Sequence, residues 1–178
     1  MKRRRILKTL LIVLSVLTLV GCDRATKVIA KETLAFSSPR DLWGGFVVLH
    51  YVENPGGFLG IGSTIPSEAR YAVAVVLSVV VVAALVGLLL FAHRLEISRV
   101  FAFTVIIAGA IGNLVDHLFN VGGVADFILL SAGPMHTGIF NVADVLISGG
   151  ITLLLVAGVR DELRKGEDGG NQNESAAG

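Results

Sequence analysis

The 178-residue sequence has one cysteine, Cys22, four prolines, 7% aromatic residues and only 16% charged residues. A single cysteine excludes an intramolecular disulfide and any metal site built from cysteines. Soluble domains carry about 25% charge, so this chain is too poor in charge to be read as one. With few aromatics and no basic surface interleaved with them, nucleic-acid binding has no support. The chain contains no His-Glu-x-x-His pair and no Gly-x-Ser-x-Gly elbow, so neither a zinc protease nor a serine hydrolase is indicated. No nucleotide motif is present either, and no cofactor is expected.

What the chain does have is hydrophobic sequence, 53% of it, gathered into long runs. A helix needs roughly 20 apolar residues to cross a bilayer core of about 30 Å. Four segments meet or approach that length, over residues 6–22, 71–92, 100–119 and 139–159. All four prolines (Pro39, Pro55, Pro66 and Pro134) fall between these segments, where helix breakers belong. The composition and spacing predict an all-α membrane protein with four transmembrane helices, a single domain over residues 1–165 and a disordered tail over 166–178.

Lys and Arg in the short flanks set the expected orientation. Lys2, Arg3, Arg4, Arg5 and Lys8 precede or open the first span, Arg94 and Arg99 lie between the second and third, and Arg160, Arg164 and Lys165 follow the fourth. The connection from Asn120 to Gly138 has no Lys or Arg. Both termini are therefore expected in the cytoplasm. The long first loop, residues 23–70, also holds basic residues, but long loops obey the rule less strictly. Within it, residues 46–52 read as a short strand and Asn54-Pro55-Gly56-Gly57 as a turn, while Leu42 and Trp43 suit a membrane interface. The start of the chain, ending Leu19-Val20-Gly21-Cys22, looks like a lipoprotein signal with its lipidation box. Three further spans favour an uncleaved first helix instead, because a lipid anchor adds little to a protein already held by helices.

Charged residues inside spans are functional candidates. Asp116 and Asp144 are such residues, with Asn113 and Asn141 close by. Asn113 and Asp116 share a helix face with Gly109 and Gly112, and Asn141, Asp144 and Ser148 share another. Asp144 is expected about five residues into the fourth span, roughly 8 Å deep at 1.5 Å per residue. Both faces then meet near the outer surface, within reach of Asp126, Asp23 and Lys27. The glycines suit close helix packing, Asn113 and Asp116 can equally lock helices together, and Asp23 with Lys27 can be an ordinary i,i+4 pair. His93 suits an interfacial flank, while His50 and His136 have no evident partner in the sequence. Two neighbouring carboxylates share a proton, so one can take a proton from water while the other donates to a peptide group. A proton-coupled carrier would also use buried aspartates, and position alone does not separate the two.

Four pieces of the chain together resemble the bacterial lipoprotein signal peptidase family, signal peptidase II. They are Asp23-Arg-Ala-Thr-Lys27, Asn54-Pro-Gly-Gly-Phe58, Gly112-Asn-Leu-Val-Asp116 running on to Val124-Ala-Asp126-Phe127, and Phe140-Asn-Val-Ala-Asp144. The resemblance covers about residues 6–160. It implies an aspartyl peptidase of the bacterial inner membrane that cuts prolipoproteins just before a diacylglyceryl-modified cysteine. Asp126 and Asp144 would be the catalytic pair, with Asn54, Asn113, Asp116, Asn141, Asp23 and Lys27 supporting the pair or contacting substrate. It further implies a small, partly β platform built from the first loop on the extracytoplasmic side. The partners implied are lipidated prolipoproteins and membrane lipid. Two departures stand out. His117 occupies the position where the family commonly has Arg, and the Asn54 piece is one residue shorter than Asn-x-Gly-Ala-Ala-Phe.

Overall fold

The computed structural model describes residues 2–55, 66–91, 95–120 and 123–177. Gly56, Gly57 and Phe58 of the turn motif, and His93 and Arg94, lie outside the described residues. Four helices carry the chain: α1 (Lys2–Leu34), α2 (Ser67–Phe91), α3 (Ile97–Phe119) and α4 (Val142–Ala177). Each contains a stretch long and apolar enough to span a membrane. Helix α3 is the centre of the bundle, packing against α1, α2 and α4, and it holds more buried residues than any other element. Its glycines allow this. A Cβ on Gly109 would stand 2.5 Å from the Ala143 carbonyl oxygen of α4, so only glycine lets the two backbones approach so closely. At the other end of the same helix pair, Arg99 pairs with Asp161, and Arg160 with Glu96 at 3.3 Å.

Helix α1 departs from expectation. Its predicted span stops at Cys22, with Asp23 opening a loop, whereas the helix continues to Leu34. No proline or glycine interrupts residues 23–34, and Asp23, Lys27, Ala30 and Leu34 recur at helical spacing and are all buried. Packing of that stripe carries the helix onward. At 33 residues, α1 is about 50 Å long, well beyond a bilayer core of about 30 Å. Its last turns thus form a post standing clear of the apolar run.

Around that post folds a four-stranded antiparallel sheet in the order β1 (Arg40–Leu42), β2 (Val47–Asn54), β3 (Val124–Ala132) and β4 (Met135–His136). The strand read over residues 46–52 corresponds to β2. A 3₁₀ turn over Trp43–Gly45 joins β1 to β2. The resemblance places the platform in the first loop, but half of its strands come from the connection between α3 and α4. Phe127 of β3 packs on Ala30 and Leu34, with Leu49, Tyr51, Ile128 and Val142 completing a small core between sheet and helices. The Tyr51 hydroxyl and Lys31 both donate to Glu53 at 2.9 Å, tying β2 to α1. These two donors hold the Glu53 carboxyl below its ordinary range, and burial beside that carboxylate pushes the Tyr51 phenol up.

Helix α4 differs from expectation at both ends. It begins at Val142 rather than at residue 139, because residues 137–140 are taken up by the sheet. Phe140 N–H donates to the Ile128 carbonyl at 2.8 Å, and the Phe140 carbonyl accepts from Ile128 at 2.9 Å. At the far end it runs to Ala177, through a tail whose composition predicts disorder. Once a helix is nucleated, each added residue gains one hydrogen bond, and the tail extends an existing span.

Candidate active site

Strand β3 and helix α4 bring Asp126 and Asn141 together. The Phe140–Ile128 bridge brings the segment entering α4 alongside β3, near Asp126. The Asn141 amide donates to Asp126 Oδ1 at 2.6 Å, and both side chains are buried. Asn141 also caps α4. Its Oδ1 accepts from the Asp144 backbone N–H at 3.0 Å, while Asp144 Oδ2 accepts from the Asn141 N–H at 3.1 Å. This reciprocal pair is a capping box made with Asn and Asp, and it satisfies donors that a helix start leaves open. Asp144 therefore sits in the first turn of α4, not five residues deep as expected.

The neighbouring strand supplies Asn54. In the β2–β3 register Val52 faces Asp126 and Asn54 faces Val124, so Asn54 and Asp126 are diagonal neighbours on one face. The Asn54 amide donates to Asp126 Oδ2 at 3.3 Å. A bulge between Leu49 and Val52 precedes this point in β2. Helix α3 supplies Asn113, whose amide donates to Asp144 Oδ1 at 2.9 Å and whose Oδ1 accepts from Asn141 at 3.2 Å. Asp126 and Asp144 are thus linked through two amides, Asn141 and Asn113. Burial pushes the Asp126 carboxyl up to about 6, with the Asp144 charge adding to the rise and the Asn141 and Asn54 donors opposing it.

Beside this set lies a cluster of buried charge. Lys27 pairs with Asp23 and with Asp116, each at 2.8 Å, and donates to Asn113 Oδ1 at 2.9 Å. Arg24 reaches the other Asp116 oxygen at 2.6 Å. Asp116 also accepts from the Asn120 amide at 3.0 Å and the Ala125 backbone N–H at 3.3 Å, which ties α3 to the start of β3. Asp23 Oδ1 accepts from the Ala143 backbone N–H at 2.8 Å, satisfying another open donor of α4. Among the described residues, no three His, Cys, Asp or Glu side chains are grouped to hold a metal ion.

The order of these pieces along the chain, set on four long apolar helices, has a counterpart. Residues 15–160 match the profile of the family described as Signal peptidase (SPase) II. The chain belongs to that family. A similar protein is the lipoprotein signal peptidase of Desulforapulum autotrophicum, 34% identical over 139 residues, which are 77% of this chain and 84% of the relative. That of Streptococcus pneumoniae is 31% identical over 166 residues, or 92% and 98% of the two chains. A solved structure described as a bacterial membrane enzyme, obtained in meso at 2.3 Å resolution, superposes with a TM-score of 0.75. It is 24% identical, with 86% of this chain and 90% of that one covered, and it shares the fold.

In this signal peptidase, a protease by family, the residues singled out in the sequence fall into one connected set. Asp23, Lys27, Asn54, Asn113, Asp116, Asp126, Asn141 and Asp144 all take part in the contacts above. Ser148, read on the same face as Asp144, is exposed and outside the set. His136 is exposed and His50 half-buried, and neither joins it. His117 is buried, with Nδ1 lacking a hydrogen-bond partner among the described residues. The residue the sequence reading missed is Arg24. Its signal lies in the helical continuation of α1, which sets positions 23, 24 and 27 along the flank facing α3.

Proposed function

We propose that this signal peptidase removes the signal peptides of prolipoproteins, cutting just before a diacylglyceryl-modified cysteine with an aspartate pair acting on water. The observation that carries this reading is the linkage of Asp126 and Asp144, from two different elements, through the amides of Asn141 and Asn113. In the proposed reaction Asp126 holds the proton, in keeping with its raised carboxyl, and gives it to the scissile carbonyl oxygen. The Asp144 carboxylate takes a proton from the attacking water, whose oxygen bonds to the carbonyl carbon. Collapse of the resulting gem-diol then passes a proton to the leaving amine and frees the acid. No covalent intermediate forms. No metal or cofactor is required for these steps.

A lipidated cysteine is held in the bilayer by its acyl chains, so its scissile bond lies near the membrane surface. An apolar groove of about 820 Å³ supports that placement, lined by Leu14, Leu19, Phe101, Val105, Val145 and Leu153. It runs between α1, α3 and α4 and begins one residue below Asp144, a path suited to acyl chains. The basic flanks put both termini in the cytoplasm of a bacterial cell and the site on the outer face of its inner membrane. Leu42, Trp43 and Phe46, exposed at the edge of the sheet, suit a platform resting on that surface. Membrane lipid and lipidated prolipoproteins are then the partners.

The test is a gel-shift cleavage assay on purified protein with a diacylglyceryl prolipoprotein and its unlipidated form. Wild type should cut only the lipidated substrate, and folded Asp126→Asn and Asp144→Asn should each lose about 10²- to 10⁴-fold in rate. A folded Asn variant that keeps near-normal rate would remove the aspartate pair from the mechanism.

A further inference from the structure

Asp23 and Lys27 are 1% and 2% exposed, which leaves them no surface to offer a substrate. They are one helical turn apart on α1 and paired at 2.8 Å, yet each also reaches out of its own helix. Asp23 Oδ1 accepts from the backbone N–H of Ala143, the residue immediately before Asp144. Lys27 donates to Asn113 Oδ1, and the same Asn113 side chain donates to Asp144 Oδ1. The two members of the pair therefore converge on Asp144 from different sides, one through the α4 backbone and one through the α3 amide.

Donor inventory explains why the second route needs a cation. A lysine ammonium can only donate, so Asn113 must turn its oxygen toward Lys27 and its NH₂ toward Asp144. Asn141 Oδ1 is committed to the Asp144 N–H, so its own NH₂ must face Asp126 and the Asn113 oxygen. Two groups that can only donate, the Lys27 ammonium and the Asp144 backbone N–H, thus set the direction of both amides. A buried ion pair kept only to join helices could be replaced by apolar residues at little cost. An apolar replacement here would leave the Asn113 amide without its orienting donor. Spatially, Gly112 leaves the room for this arrangement, because a Cβ there would stand 2.6 Å from Asp23 Oδ2.

We infer that Asp23 and Lys27 are positioning residues for Asp144, Asp23 by fixing the first turn of α4 and Lys27 by aiming the Asn113 amide. The inference rests on the aspartate-pair reading given above. Its test uses the full chain with the lipidated prolipoprotein, each variant being checked for a cooperative melt. The paired variant Asp23→Asn with Lys27→Met removes both charges at once. It should lower kcat by about 30-fold or more while KM stays within about twofold, since a misaligned Asp144 weakens transition-state stabilisation and not substrate binding. In an Asn113→Ala background the same pair should cost at least about fivefold less, because there is no amide left to aim.

Equal losses in both backgrounds would show that Lys27 does not act through the Asn113 amide and overturn the inference, as would a rise in KM with kcat kept. If the paired variant does not fold, the same cycle is read with Lys27→Arg, which keeps the charge but presents a planar fork to Asn113. A Lys27→Arg chain that also fails to fold makes the pair a folding element and overturns the inference too. A wild type that leaves the lipidated substrate uncut defeats the peptidase reading and this inference with it. A wild type and a folded paired variant that cut equally fast defeat this inference alone.

Discussion

Arg24 Nη1 lies 2.6 Å from Asp116 Oδ1, a contact between α1 and α3 across 92 residues of chain. Asp116 has no exposed surface, and Lys27 holds its other oxygen. Arg24 thus brings a positive charge to Asp116 from another helix, while His117 follows Asp116 on α3 itself. Arg24→Met should reduce cleavage, by about 10-fold if the lost contact is worth about 1.5 kcal/mol as charge-assisted bonds often are. Adding His117→Arg to that variant should restore part of the rate. The check is kcat/KM for the single and double variants, and no recovery would show that the two positions serve different contacts.

Gly112 is the point where α3 meets the Asp23 carboxylate. A methyl group there would stand 2.6 Å from Asp23 Oδ2 and 3.4 Å from the Ala143 Cβ. Overpacking of this kind costs about 1–3 kcal/mol, and the strain falls on the Asp23 carboxylate that holds the Ala143 N–H. Gly112→Ala is expected to lower both the melting temperature and the cleavage rate. Gly158→Ala, at a position where an added Cβ meets nothing within 4 Å, is the control and should leave both unchanged.

Much of this arrangement was legible in the sequence because membranes impose a simple length rule on apolar helices. The four spans followed from that rule, and the polar residues inside them followed from the cost of burying them. The helical continuation of α1 was hidden because Asp23, Arg24, Lys27 and Lys31 read as a polar loop. The burial of Asp23 and Lys27, and the reach of Arg24 to Asp116 and of Lys31 to Glu53, explain them. Strand β3 was missed for a different reason. A short apolar run such as Phe127–Leu130 does not declare itself strand or helix, and its partners in β2 lie at least 70 residues away. The start of α4 was misjudged by three residues because Phe140, apolar like the span behind it, belongs to the sheet.

Asn54 and Asn141 both donate to Asp126, but they do so differently. The Asn141 bond is 2.6 Å long and fully buried, and the same side chain caps α4. The Asn54 bond is 3.3 Å long and comes from the edge of the first loop. Geometry therefore ranks them. Asn141→Ala should lose about 100-fold or more in kcat, since the Asp126 bond and the cap beside Asp144 go together, and should also lower the melting temperature. Asn54→Ala should lose no more than about 10-fold, with stability nearly kept. Single-turnover rates on the lipidated substrate would order the two, and a larger loss at Asn54 would point to a substrate contact there.

Burial raises the Asp126 carboxyl to about 6 from an ordinary value of 3.8. The sign follows directly. Between those two values the folded protein keeps a proton that the unfolded chain has released, so raising the pH through this window costs the folded state stability. At 1.36 kcal/mol per pH unit the cost is on the order of 3 kcal/mol, complete above pH 6. An Asp126→Asn protein carries no such charge and should not pay it. Melting curves of the two proteins in the same detergent, taken from pH 4 to pH 7, should therefore diverge. The Asn variant should gain on wild type as the pH rises to about 6, and the gap should then stay constant. A gap that shrinks with rising pH would mean that the Asp126 carboxylate is stabilised in the folded protein, and it would remove Asp126 as the proton holder.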